Sequence, residues 1–230
     1  MNFTTYLHQF LYGIYPYIAL AVFLLGSLVR FEREQYTWKS DSSQLLHAGR
    51  LRLGNILFHF GVLGLFFGHL VGLLTPVMVW DALGVTHSFK QLVAMAAGGL
   101  FGSLCLAGLL ILIHRRLTDA RIAAVTRPGD KLLLLWLLVT LALGLSTIAE
   151  SAQHRDGHMM VLLMTWAQHI VTFRGDAASF IVGAPLLFKL HLFMGLTLFV
   201  IFPFTRLVHV WSGFATLGYL GRAWQLVRPR

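Results

Sequence analysis

Five apolar runs, separated by short polar segments, set the pattern of this chain. They extend from about Tyr15 to Val29, Leu53 to Trp80, Leu92 to Ile113, Leu132 to Ile148 and Pro185 to Val210. A helix needs about 20 apolar residues to cross ~30 Å of hydrocarbon, and these runs are of that order. The charge-free part of the fifth, Leu190 to Thr205, is short, but Lys189 and Arg206 at its two ends can snorkel outward. A sixth apolar segment, Met159–Phe173, is interrupted by Gln168 and His169. It is too short to cross and reads as an interfacial helix in the loop between the fourth and fifth spans. The expected fold is an all-α integral membrane protein, a five-helix bundle in which residues 1–230 form a single membrane domain.

Composition agrees. Hydrophobic residues make up 57% of the chain and charged residues only 12%, about half the charged share of a soluble domain, and the mean hydropathy is +0.73. A net charge of +9 raises the question of nucleic acid, which requires a basic patch on a folded surface. Here the basic residues are confined to segments between spans, so no nucleic acid is expected and the partner surface is lipid. The single cysteine, Cys105, lies in an apolar run. It allows no intramolecular disulfide, no cysteine-based zinc or iron–sulfur site and no CxxCH haem attachment. The segment MNFTTYLHQF lacks the basic region of a cleavable signal, so the first span is expected to be retained.

The distribution of Lys and Arg sets the expected orientation. Arg30, Arg33, Lys39, Arg50 and Arg52 follow the first span, Arg115, Arg116, Arg121, Arg127 and Lys131 the third, and Arg206, Arg222, Arg228 and Arg230 the fifth. Only Lys90, Arg155, Arg174 and Lys189 fall on the other side. The N-terminus is therefore expected outside and the C-terminus in the cytoplasm. Aromatics sort to match, with Tyr15, Tyr17 and Trp80 at one interface and Trp38, Trp136 and Trp211 at the other.

Four of the eleven histidines fall inside spans: His59 and His69 on the second, His191 and His209 on the fifth. Ionisable groups at that depth are costly and point to function. Neutral imidazoles in pairs serve as axial ligands of a six-coordinate b-type haem. Spans two and five run in opposite directions, so only His59 with His209, and His69 with His191, share a depth. The ten- and eighteen-residue separations differ, ~15 Å against ~27 Å along a straight helix, and His59 and His69 point roughly 80° apart. Tilt and a kink at Pro203 are expected to absorb the mismatch. The competing reading of any single histidine is a hydrogen-bonded residue of the bundle interior. Gly54, Gly61, Gly64, Gly68 and Gly72 either leave room for a macrocycle or allow close helix packing. Arg206, one turn from His209, can neutralise a haem propionate or simply snorkel. Lys90 can hydrogen-bond a quinone carbonyl or anchor the interface, and His87 can accept a proton or face solvent. His154, His158 and His169 are expected to be solvated.

At these residues the chain resembles the cytochrome b (gamma) subunits of membrane-bound respiratory nitrate reductase. The resemblance is carried by IYPYIALAVFLLGS (14–27), QYTW (35–38), NILFHFGVLGLFFGHLVGLLTP (55–76), KQLVAMAAGG (90–99), SAQHRDG (151–157), WAQHIVTF (166–173), FKLHLFMGLTLFVIFPFTRLVHVWS (188–212) and QLVR (225–228). It implies five spans and two b-type haems, His59 and His209 ligating the one nearer the cytoplasm and His69 and His191 the outer one. It places Lys90 at the quinol site. The function it implies is oxidation of a quinol, ubiquinol or menaquinol, at the outer side of the bacterial inner membrane. Electrons would pass to an iron–sulfur beta subunit and a molybdenum alpha subunit that reduces nitrate. Two other readings stay open at this point: a related di-haem subunit of a sulfur or heterodisulfide reductase-type complex, and a histidine-lined proton channel or transporter.

Overall fold

A computed structural model describes residues 2–34, 38 and 48–220. Lys39, Arg222, Arg228 and Arg230, used above for orientation, and most of the stretches 35–38 and 225–228 lie outside the described residues.

The described residues form helices and no strands. Helix α1 (Phe3–Gln9) continues through a π-turn (Phe10–Ile14) into α2 (Tyr15–Glu34). There follow α3 (Ala48–Leu74), α4 (Val77–Ala82), α5 (His87–Thr118), α6 (Ala120–Val125), α7 (Pro128–Gln153) and α8 (His158–Val171). A 3-10 turn (Ala177–Ile181) leads to α9 (Leu186–Ile201). Two further 3-10 turns, Phe202–Phe204 and Arg206–Val208, separate α9 from α10 (His209–Leu220). Among the described residues, five segments are long and apolar enough to cross a membrane: Phe3–Glu34, Leu51–Leu74, His87–Thr118, Pro128–Gln153 and Leu186–Phe204. Large apolar side chains such as Leu25, Leu28, Phe60, Phe67 and Leu100 face outward along them, as the side chains of a lipid-solvated bundle do.

The helix ends follow local chemistry. Pro76 lacks an N–H, so α3 stops at Leu74 and Trp80 falls on the separate α4, short of the single run expected to Trp80. Thr86 caps α5, its hydroxyl accepting from the Phe89 N–H at 3.3 Å. That helix therefore begins at His87 and carries Lys90 within its first turn, whereas the hydropathy pattern places the span's start at Leu92. Pro128 opens α7 at its first turn, where its missing N–H costs nothing. At the far end of α9, Pro203 and the extended Thr205 break the helix.

Helix α3 packs most closely on α5, α5 on α7, α7 on α9 and α9 on α2. A Cβ at Gly61 would lie 2.4 Å from the Cys105 backbone nitrogen, and one at Gly108 would lie 2.3 Å from that of Phe58. The two backbones thus meet at glycine from both sides. Gly54 and Gly64 likewise face α5 side chains, whereas Gly68 and Gly72 face open space. Of these five α3 glycines, Gly54, Gly61 and Gly64 thus serve close packing. Gly61→Ala pushes a methyl group into backbone that no rotamer change can relieve, so it is expected to cost about 3 kcal/mol or more, read as a lowered thermal midpoint in detergent.

Helix α8 is built into the protein. Met164, Trp166, Ala167 and Ile170 are buried, the Trp166 N–H donates to the Tyr12 carbonyl at 2.9 Å, and Gln168 donates to the Leu73 and Thr75 carbonyls at the end of α3. The interfacial helix expected at Met159–Phe173 is a cap across one end of the bundle.

Candidate functional site

Helices α3 and α9, which carry three of the four intramembrane histidines, are not close-packed neighbours. Helices α5 and α7 stand behind them, leaving a gap that the imidazoles face. His69 and His191 have ring centroids 6.1 Å apart. His59, on α3, and His209, at the start of α10, have centroids 6.3 Å apart. These are the two depth-matched pairs expected from the topology. The break at Phe202–Val208 turns the path from His191 to His209 into two segments, so their eighteen residues no longer project onto one axis. Around His69 and His191 lies an apolar cavity of about 290 Å³. Gly98 and Gly102 of α5, Gly144 of α7 and Phe188 of α9 contribute to its wall, and Trp166 of α8 closes its end.

The rings are held in one protonation pattern. His59 Nδ1 lies 2.9 Å from the Asn55 carbonyl, His69 Nδ1 2.7 Å from that of Leu65, and His191 Nδ1 3.0 Å from that of Thr140. His209 Nδ1 bonds the Arg206 carbonyl. A carbonyl only accepts, so each Nδ1 carries the hydrogen and each Nε2 keeps its lone pair. A ligand histidine is held in this way, its other nitrogen donating to a carbonyl.

Among the described residues no group of three or more His, Cys, Asp or Glu side chains stands together to hold a metal ion. Each pair therefore offers two nitrogens, and any metal between them needs further donors from elsewhere; a porphyrin supplies four. The spacing fits. With a metal–nitrogen bond of ~2.0–2.1 Å and a ring centroid about 1.2 Å behind each nitrogen, two imidazoles across one iron stand roughly 6 to 6.5 Å apart.

Lys90 is buried at the α8 end of the bundle. Its Nζ donates to the Gly72 carbonyl at 2.9 Å, three residues beyond His69, lies 2.7 Å from the Met164 sulfur, and sits 4.6 Å from the centre of the Trp80 ring. Buried against three other helices, the ammonium does not have the exposed position of an interface anchor. The indole N–H of Trp80 is itself buried with no hydrogen-bond partner among the described residues. The neighbouring Gln91 donates to the Ser151 and His154 carbonyls and accepts from the Gly157 N–H, tying α5 to the turn before α8. His87 pairs with Asp81 at 3.1 Å. His169, expected to be solvated, is largely covered. It bonds Asp176 at 2.7 Å and packs edge-on against Phe180, and its hydrogen bond holds the Asp176 carboxyl below the usual carboxylate range.

At the opposite end, Arg206 grips Asp130 with two bonds, Nε to Oδ1 at 2.8 Å and Nη2 to Oδ2 at 2.6 Å. Arg116 stands 3.8 Å from the same carboxylate. Asp130, Thr140 and Gly144, all on α7, are site residues that hydropathy and histidine spacing do not reveal. Trp136, expected at an interface, directs its indole N–H to the Met194 carbonyl of α9 at 3.0 Å.

Among the described residues, five segments able to cross a membrane and two facing histidine pairs define a class: multi-span helical membrane proteins with paired imidazoles between their helices. Residues 8–230 match the family model described as nitrate reductase gamma subunit, and the chain belongs to that family. It is 48% identical over 225 residues to the respiratory nitrate reductase 1 gamma chain of Escherichia coli (strain K12), covering 98% of this chain and 99% of that one. Identity to the respiratory nitrate reductase 2 gamma chain of the same organism is also 48%, over 98% of each chain. To the nitrate reductase gamma chain of Bacillus subtilis (strain 168) it is 38%, over 96% of this chain and 98% of that one. The chain is thus a multi-pass protein of the bacterial cytoplasmic membrane and a subunit type of a respiratory oxidoreductase complex.

Proposed function

We propose that residues 1–230 form a single membrane domain, N-terminus outside and C-terminus cytoplasmic, that oxidises a quinol at its outer side. The electrons go to an iron–sulfur beta subunit and a molybdenum alpha subunit in which nitrate is reduced. His59 with His209, and His69 with His191, are the axial ligands of two b-type haems, the first nearer the cytoplasm and the second nearer the outer face. Bound there, haem supplies one-electron chemistry between a two-electron quinol and single-electron acceptors. The observation that carries the reading is the facing of two imidazole pairs at ligand spacing, every Nδ1 tied to a carbonyl and every Nε2 left to bind.

Lys90 binds the quinol. Its ammonium sits beside the backbone turn that follows His69, where it can orient a quinol oxygen toward the outer pair. Both protons of the quinol leave on the outer side. Electrons alone cross the bilayer, so turnover separates charge. Helix α8 and the Gln91 and Gln168 bonds close the outer end, limiting water around the pair. Arg206 and Arg116 share the Asp130 carboxylate, and the net positive charge of that cluster offsets a haem propionate at the cytoplasmic side, with Asp130 fixing the Arg206 guanidinium in place.

A reduced-minus-oxidised spectrum of the purified complex tests this. Two distinguishable b-type signals are expected, both reduced by quinol and reoxidised by nitrate. A colourless subunit sinks the reading and favours a histidine-lined channel.

A further inference from the structure

Three of the four ligand imidazoles are oriented by their own stretch of chain. His59, His69 and His209 each donate from Nδ1 to a carbonyl three or four residues earlier. His191 differs, because its acceptor is Thr140, on α7. One turn away the bonding runs in the opposite direction, from Trp136 Nε1 of α7 to the Met194 carbonyl of α9. The His191 ring also lies against Gly144, where a Cβ would stand 2.7 Å from its Cε1 and 3.3 Å from both ring nitrogens. A side chain at position 144 would take the space the imidazole occupies.

Helix α7 supplies no ligand in the proposed scheme. We propose that it is nevertheless the positioning element of the outer haem: Trp136 fixes the register of α9, the Thr140 carbonyl sets the tautomer and tilt of His191, and Gly144 leaves the space for its ring. This rests on the di-haem reading above and adds an asymmetry to it, because the Nδ1 acceptors of His59 and His209 lie on their own stretches of chain. The physical basis is the hydrogen bond at Nδ1, which increases the basicity of the ligating Nε2. Loosening that bond weakens donation to the oxidised iron more than to the reduced iron, so the outer haem's midpoint potential rises. Displacing the ring altogether loses the group.

Redox titration and low-temperature EPR of the whole complex read both effects. Trp136→Phe keeps the ring shape and removes the donor; it is expected to retain both haems, raise the midpoint of the outer one, shift its low-spin g value and leave the inner haem unmoved. Gly144→Ala is expected to weaken retention of the outer haem about tenfold while the inner signal persists. Leu135→Ala, on the outward face of α7, is expected to change neither. The proposal is overturned if the outer haem's potential and g value stay at their unsubstituted values in Trp136→Phe, or if both haems move alike. Should Gly144→Ala fail to accumulate, the Trp136→Phe result decides alone. An unsubstituted complex lacking two b-type signals would instead refute the di-haem reading itself, so the two failures are distinguishable.

Discussion

Replacing His191 with alanine is expected to abolish one of two b-type signals and leave the other at full strength. Losing a carbonyl partner of a ligand histidine weakens metal retention about 10- to 100-fold; losing the ligand itself is expected to exceed that range. His69→Ala should remove the same signal, because the two rings face each other at 6.1 Å. His59→Ala and His209→Ala should remove the other, for the same reason at 6.3 Å. The measurement is haem content per complex together with the split of the difference spectrum. If His69 and His191 substitutions deplete different signals, or any single one removes both, the pairing is wrong.

The second large effect is expected at Lys90. Lys90→Met keeps most of the side-chain volume and removes the ammonium. A hydrogen bond to a charged group contributes about 1.5–3 kcal/mol, which corresponds to a fall in quinol-dependent turnover of roughly 10- to 150-fold. Both haem signals should persist, and nitrate reduction driven by a soluble dye that feeds the catalytic subunit directly should be unchanged. That combination separates a lost quinol contact from a damaged bundle. Undiminished quinol turnover would return Lys90 to a structural role, bonding the Gly72 carbonyl and lying over Trp80.

Much of this was legible in the residues. Long apolar runs give helices in lipid because no other open backbone satisfies its own polar groups there, and a histidine within such a run stands out against the cost of placing it there. Antiparallel direction then matches His59 with His209 and His69 with His191. The unread parts have two physical causes. Hydropathy counts polar residues as lying outside a span, yet His87, Lys90 and Gln91 belong to α5, where their polar atoms find partners on α3, α4, α7, α8 and the turn before α8. Non-local partnerships leave no periodic trace: Asp130 meets Arg206 across 76 residues, and Thr140 meets His191 across 51. Gly144 in a leucine-rich run was the one local sign that something large approaches α7.

The interruption of the last span at Pro203 frees carbonyls that a continuous helix would have satisfied. Arg30, at the far end of α2, donates through Nη1 to the Pro203 carbonyl at 2.6 Å and the Thr205 carbonyl at 2.8 Å, while Gly26 lets the proline ring lie against α2. A residue that topology counting treats as a surface charge is thus a stitch across a seam. The seam is held rather than loose, so the segment that presents His209 is anchored by the first membrane-crossing segment, which has no histidine among the four. Sequence changes near Arg30 are therefore expected to retune the proposed haem site at His209, although Arg30 itself offers it no ligand.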